Sequence, residues 1–416
     1  MKLIDDKIAV LINWPREIDM YQNFLKKLPK EKLQIIANDI KSTETGRDLQ
    51  NKQLLKILVK KKIKFKLFSN VYQKEKFSII LSTGEASSTQ ITFISIFKFI
   101  FSNTFGRIIE IINLDKILNY FFNRPFTAAF NRNSLGSVWY PEKILAKKTI
   151  KYSDGMDLKL NNYPYPELLK NFDIFFTISK FEYSLIKKKQ KNKICKIIGY
   201  SRFHNILNKK KIFSNLKKEF KLNSKKKTIL WMPTHIDNDE EANININSWL
   251  EKIRILNKEF NLIVRPHPFS LTYDSQLIKK IKRYKLNVDT SQSRQIGEIL
   301  KISDIIICDY GGSVFNALYF EKPIVLLNMP QNSSYVNDLI KDNSLDISLR
   351  KKLINLDFNV SKYDIMNKVR MSLNRKYLNK IISLKYKYFE KDENKNNHKI
   401  RKYLLNILSE NKWKNI

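Results

Sequence analysis

Cysteine is nearly missing: the 416 residues hold two, Cys195 and Cys308. Both lie in apolar segments, so they read as buried free thiols in a reducing compartment and exclude a disulfide framework. Long hydrophobic runs are missing too. The longest, Ile91–Phe101, is broken by Lys98 and falls short of the roughly 20 residues that a membrane span needs. Asp5 and Asp6 interrupt the N-terminus before any apolar core, so no signal peptide is read. There is no Walker lysine loop, no GxGxxG, no HExxH, no Cys/His cluster and no GxSxG. These absences argue against ATP hydrolysis, a dinucleotide cofactor, zinc chemistry and a serine-hydrolase elbow. No cofactor and no metal is expected. No zinc-finger spacing, recognition helix or RNA-binding aromatic signature is found, which ranks nucleic acid last among partners. The expectation is a cytoplasmic protein, with the inner face of the cell membrane as its one possible membrane contact.

Acidic residues are also scarce. The 40 Asp and Glu face 77 Lys and Arg, for a net charge of +37. Two readings stand: a coding bias toward Lys and Asn, or an anionic partner such as a membrane surface or a phosphate-rich acceptor. Hydrophobic residues, at 43%, are ordinary for a globular chain of a length that builds two cores.

The periodicity gives α/β architecture twice. Strands are expected at Lys7–Asn13, Leu33–Ala37, Ile63–Phe68, Phe77–Ser82, Gly136–Tyr140, Lys148–Tyr152, Phe172–Ile178 and Lys193–Ile198, with helices between them. Ile91–Phe130, rich in Phe and Ile with basic residues interspersed, reads as buried helices or as an aromatic–basic surface for lipid headgroups. A second alternation follows a Lys-rich stretch, with strands at Thr228–Met232, Leu262–Val264, Ile305–Cys308 and Ile324–Leu327. The expected division is an acceptor-side Rossmann-like domain at 1–205, a nucleotide-binding one at 206–375 and a Lys-rich helical segment at 376–416. Parallel sheets of this kind bind ligands at the carboxyl ends of their strands, here in the cleft between the halves.

The polar turns after those strands hold the candidate residues. Asp309-Tyr310-Gly311-Gly312-Ser313 carries the one adjacent glycine pair among nine glycines and feeds a helix, an arrangement suited to phosphate. Asp309 either anchors that turn or touches ligand. His267, framed by prolines in Arg265-Pro266-His267-Pro268, is one of four histidines and is placed to donate to a phosphate, with Arg265 as a fixed cation. His235, after Thr234, contacts donor phosphate or caps a loop. Glu298 and Asp289-Thr290-Ser291 lie where two Rossmann-like halves would hold a base or ribose. Asp154, before Gly155, is the leading general-base candidate in the first half, with Glu85 second.

In order and spacing, ILWMPTHID, IVRPHP and ISDIIICDYGGSVFNALYFEKPIVLLN resemble the CDP-glycerol glycerophosphotransferase family, the teichoic-acid primases and polymerases of GT-B fold. The resemblance is strongest over 228–330 and extends to KYSDG and IIGYSRFHNIL within 148–204. It implies a transferase moving a glycerol-phosphate or sugar group from a cytidine-nucleotide donor to a cell-surface polymer or lipid-linked acceptor. It also implies that His267 contacts the donor pyrophosphate, that Gly311, Gly312 and Ser313 cradle it, and that Thr234 and Glu298 lie near the donor. The family usually has Ser-Ser where this chain has Gly311-Gly312, and His-Gly where it has Asp154-Gly155. Asp154-Gly155 with His267-Pro268 is similar to the bacterial GT-B sialyltransferases and polysialyltransferases, which implies CMP-sialic acid or a related nucleotide sugar as the alternative donor. A non-catalytic binding module and a sugar-nucleotide epimerase of the same fold are the remaining classes.

Overall fold

The computed structural model describes residues 1–25, 28–39, 47–72, 74–84, 141–156, 158–207, 213–236, 239–273, 276–291, 294–330, 333–391 and 400–409. Glu85, Ile91–Phe130 and the strand expected at Gly136–Tyr140 lie outside these residues.

Apolar, β-branched runs form the two sheets. The first contains β1 (Lys2–Ile12), β2 (Leu33–Ala37), β3 (Phe65–Leu67), β4 (Glu75–Ser82), β5 (Ala146–Tyr152), β6 (Ile174–Thr177) and β7 (Ile194–Ile197). Their order is β3-β2-β1-β4-β5-β6-β7. The second contains β8 (Thr228–Met232), β9 (Asn261–Val264), β10 (Asn287–Val288), β11 (Ile305–Cys308), β12 (Ile324–Leu327) and β13 (Ile354–Leu356). Their order is β10-β9-β8-β11-β12-β13. Every pairing is parallel. β8, β11 and β12 are buried along their whole length, as strands covered by helices on both faces must be.

In each sheet the order reverses once, between β1 and β4 and between β8 and β11. Such a reversal opens a crevice at the carboxyl ends of the strands, because the flanking connections leave to opposite faces. Both crevices are lined by polar turns. Asn13–Arg16 and Thr83-Gly84 follow β1 and β4; Thr234-His235 and Asp309–Ser313 follow β8 and β11.

The halves share a core. Phe172, Phe175, Tyr200 and Phe203 of the first pack in one cluster with Leu230, Ile306, Phe315 and Tyr319 of the second. Polar ties reinforce it. Leu345 N–H donates to Leu158 O at 2.9 Å, Lys159 pairs with Asp342 at 2.8 Å, and Gln295 donates to Asp19. The C-terminal segment is split by the fold. The helix Arg375–Tyr388 buries Ile381, Leu384 and Tyr388 in the shared cluster. Ile400, Leu404, Ile407 and Leu408 return to the core of the first sheet.

Cys308 is buried, Cys195 half-buried, and both are free thiols. Burial pushes Cys308 up to about 12. Among the described residues no helix is long and apolar enough to cross a membrane.

Candidate active site

Asp309 follows β11 and is 1% exposed. It accepts from the Trp231 indole N–H at 3.1 Å, the Thr234 backbone N–H at 3.3 Å and the Asn245 amide at 3.3 Å. Burial outweighs these donors and pushes its carboxyl up to about 6. Of its two sequence readings, the geometry is that of an anchor. It ties the end of β8 and the helix Asp239–Ile253 to the glycine turn.

That turn is also held from below. Gly311 has φ +80°, a left-handed conformation that glycine adopts without strain, and a β-carbon there would meet nothing within 4 Å. Its N–H donates to Asp346 at 2.8 Å. The buried Arg350 donates to the Asp309 and Leu327 carbonyls and stacks its guanidinium 3.8 Å over Tyr310. Gly312 precedes the helix Ser313–Tyr319 as its N-cap, and the Ser313 hydroxyl reaches the Tyr310 carbonyl at 3.5 Å. One of the backbone donors expected for phosphate is therefore already committed to a carboxylate.

Next in sequence to Thr234, whose N–H Asp309 holds, His235 stacks on His267 with centroids 5.7 Å apart and planes 17° from parallel. His235 Nδ1 lies 3.0 Å from Ser270 Oγ. The His267 carbonyl accepts the Leu271 N–H at 3.1 Å, which starts the short helix Pro268–Tyr273. Burial, then His235, then Arg16 lower the His267 imidazolium to about 3. His267 is accordingly neutral at pH 7.

Arg265 is placed differently from the sequence expectation. Its side chain, 12% exposed, pairs with buried Asp289 and donates to the Arg294 carbonyl at 2.7 Å. Arg294 joins Asp289 and Glu219, each at 2.5 Å. The guanidinium expected to face phosphate is thus bound into a buried ion network at the end of β10. Asp289, expected near the base or ribose, is the centre of that network. Glu298 stands half-buried in the first turn of the helix Ile296–Ile302. The preceding Gly297 sits so close to Phe203 and Ile206 that a β-carbon would lie 2.7–2.8 Å from them.

Across the cleft, β5 delivers Ser153-Asp154-Gly155. Glu182 fixes this loop by accepting from Ser153, from Tyr163 and from the Ile178 N–H. Ser179 and Glu182 together cap the helix Lys180–Lys189. Asp154 meets Arg16 at 3.1 Å, with the two side chains 28% and 45% exposed. Burial works to raise the Asp154 carboxyl, but Arg16, Lys151 and Arg202 prevail and hold it below the usual range.

Arg16 was not singled out by the sequence. It sits in the first turn of the helix Pro15–Leu25. Glu17 pins that turn by accepting from the Asn13 N–H at 2.8 Å and the Thr83 hydroxyl at 2.7 Å. Arg202 was missed as well. It reaches the Tyr200 hydroxyl at 3.4 Å, and that hydroxyl bonds Asn316 of the second half at 3.1 Å. Asp346 and Arg350 had no motif to mark them. Glu182 did have one, in its spacing from Ser179. Among the described residues no cluster of His, Cys, Asp or Glu is arranged to hold a metal.

Two doubly wound sheets with facing crevices define a GT-B fold, and solved structures of that fold superpose over nearly the whole chain. The wall teichoic acid polymerase TagF matches with TM-score 0.55 and 14% identity, over 98% of this chain and 90% of that one. A UDP-N-acetylglucosamine 2-epimerase matches with TM-score 0.52 and 13% identity, over 97% and 96%. S. aureus MnaA, solved with UDP, matches with TM-score 0.50 and 15% identity, over 98% of each chain. No curated protein sequence matches. The family model of the CDP-glycerol:poly(glycerophosphate) glycerophosphotransferases matches residues 169–406, more than half of the chain. The chain belongs to that family, and it is a transferase of the glycerophosphotransferase type. Arg16 and Asp154 precede the matched residues; the histidine pair and the glycine turn lie within them.

Proposed function

We propose that the cleft transfers glycerol phosphate from CDP-glycerol to a hydroxyl of a polymer or lipid-linked acceptor. The observation that carries this reading is that His267, stacked on His235 at 5.7 Å, feels the charge of Arg16, which pairs with Asp154 in the opposite half, in a chain of this family. The acceptor oxygen attacks the phosphorus that bears glycerol. The bond from that phosphorus to the bridging oxygen breaks, CMP leaves with the electron pair, and the hydroxyl proton passes to Asp154.

In this reading His267 donates to the pyrophosphate. Its neutral state in the protein alone is no obstacle, because an adjacent dianion favours the protonated ring. His235, Gly312 and Ser313 add donors, and charge on the departing nucleotide is stabilised where water is excluded. Thr234 and Glu298 lie at the donor's side of the cleft, and Asp309 acts by fixing Thr234 and the turn. Arg265 acts at one remove, through Asp289. Asp154 is ionised at neutral pH and able to take a proton, although its lowered basicity makes it a weak base while Arg16 stays on it.

One observation favours a second reading. An aspartate, not a histidine, precedes Gly155, which suits transfer of a sialic-acid-like sugar from a CMP donor. Product analysis with CDP-glycerol, CMP-sialic acid and UDP-N-acetylglucosamine, each with and without a poly(glycerophosphate) primer, separates the cases. Primer extension from CDP-glycerol supports the proposal, and extension from CMP-sialic acid alone replaces it. Conversion of UDP-N-acetylglucosamine to an isomeric UDP-sugar without primer would indicate an epimerase.

A further inference from the structure

Two arginines of the second half have their heads committed within it. Arg265 is committed to Asp289 and to the Arg294 carbonyl, and Arg350 to the Asp309 and Leu327 carbonyls and the face of Tyr310. The Gly311 N–H is committed to Asp346. A pyrophosphate needs positive charge close by, and among the described residues the first half brings two arginines, Arg16 and Arg202, to Asp154 at the cleft.

Arg16 is the better placed of them. It stands at the carboxyl end of β1, at the point where the strand order reverses, which is where such folds take ligands. Its backbone is fixed, since Pro15 opens its helix and Glu17 locks the first turn to Asn13 and Thr83. Its side chain is long, 45% exposed and 3.1 Å from Asp154, and its charge reaches His267. A partly exposed ion pair is weak and easily exchanged. A guanidinium fork bridges two phosphate oxygens better than it holds one carboxylate oxygen.

We propose that Arg16 is a donor-phosphate residue supplied by the first half, and that it exchanges Asp154 for the pyrophosphate as the donor binds. The exchange does two things. It closes the first half onto the donor, and it releases the Asp154 carboxylate to the acceptor hydroxyl only when a donor is present. Donor binding and base activation become one event, which protects the donor from attack before the cleft is assembled. This inference rests on the donor reading above for the identity of the nucleotide, but not for the diphosphate itself.

The test is calorimetric titration of wild type, Arg16→Gln, Arg16→Lys, Asp154→Asn and the Arg16→Gln/Asp154→Asn double variant with cytidine, CMP, CDP and inorganic pyrophosphate. Melting midpoints confirm folding. Arg16→Gln is expected to weaken CDP and pyrophosphate at least tenfold and to leave cytidine unchanged, with Arg16→Lys intermediate. Asp154→Asn is expected to tighten CDP and pyrophosphate several-fold by removing the competing carboxylate, and this gain should vanish in the double variant. Wild-type-like CDP binding by folded Arg16→Gln, or no tightening in Asp154→Asn, overturns the inference and leaves the donor reading intact. Arg16-dependent binding of pyrophosphate without binding of CDP supports the inference and removes the cytidine donor. Binding of neither by wild type removes both.

Discussion

At the scale of single residues, half-buried His267 and buried Asp309 give the protein opposite responses to pH. His267 is held down to about 3 in the fold, against about 6.5 in an unfolded chain. Between those values the unfolded chain binds the extra proton, so the stability from this group is present above pH 6.5 and is lost as pH falls. Denaturant titration of wild type and His267→Gln at pH 7.5 and 5.5 is expected to show wild type losing about 1 kcal/mol more than the variant on acidification. Asp309 behaves in the reverse sense. Its fold value of about 6 lies above the unfolded one, so its contribution is present at low pH and fades as pH rises through 6. Its main role is as an acceptor for three donors. Asp309→Asn would turn an amide N–H toward one of them and is expected to cost about 1–3 kcal/mol in thermal or denaturant unfolding.

The residue scale is also where sequence reading was weakest. Arg265 beside His267 reads as a phosphate ligand, since nothing in the sequence says that Asp289, brought alongside at the end of β10, will claim it. Asp154 was legible as a strand-end carboxylate. Its partner Arg16 was not, because they meet only when β1 and β5 lie in one sheet. Asp346, which takes the Gly311 N–H, is equally invisible before folding.

At the scale of elements the sequence was far more informative. β2, β8, β11 and β12 fall on their expected residues, because a short apolar run between polar turns leaves a buried parallel strand little freedom. Ser179 caps the helix Lys180–Lys189 by accepting from the Glu182 N–H. Helix starts moved more. The helix before β9 begins at Asp239, where a polar first turn hides the periodicity. The turn Asp309–Ser313 is the element on which the account depends most. Gly311→Ala clashes with nothing, so its cost is conformational, about 1–2 kcal/mol for a left-handed alanine. Unfolding free energy is expected to fall by that amount, with CDP affinity falling more than cytidine affinity.

At the scale of the whole molecule, the chain closes on itself. Ile400, Leu404, Ile407 and Leu408 fill the core of the first sheet from the far end of the sequence. Buried aliphatic side chains are each worth about 1.5–3 kcal/mol. Deletion of residues 400–416 is therefore expected to lower the melting midpoint by more than about 10 °C or to remove soluble protein, although this segment is far in sequence from every site residue. The Lys159–Asp342 pair that ties the halves is partly exposed. Asp342→Ala is expected to change stability by under about 1 kcal/mol, because the shared apolar cluster carries the join.

In the proposed reaction His267 acts on the phosphates of a cytidine-activated donor in this cleft. Its most direct test is the turnover number for CMP release from CDP-glycerol with a poly(glycerophosphate) acceptor, in wild type and in folded His267→Gln. A fall of about 10²–10³-fold is expected if the imidazole stabilises charge on the departing nucleotide. Turnover within twofold of wild type would contradict the account.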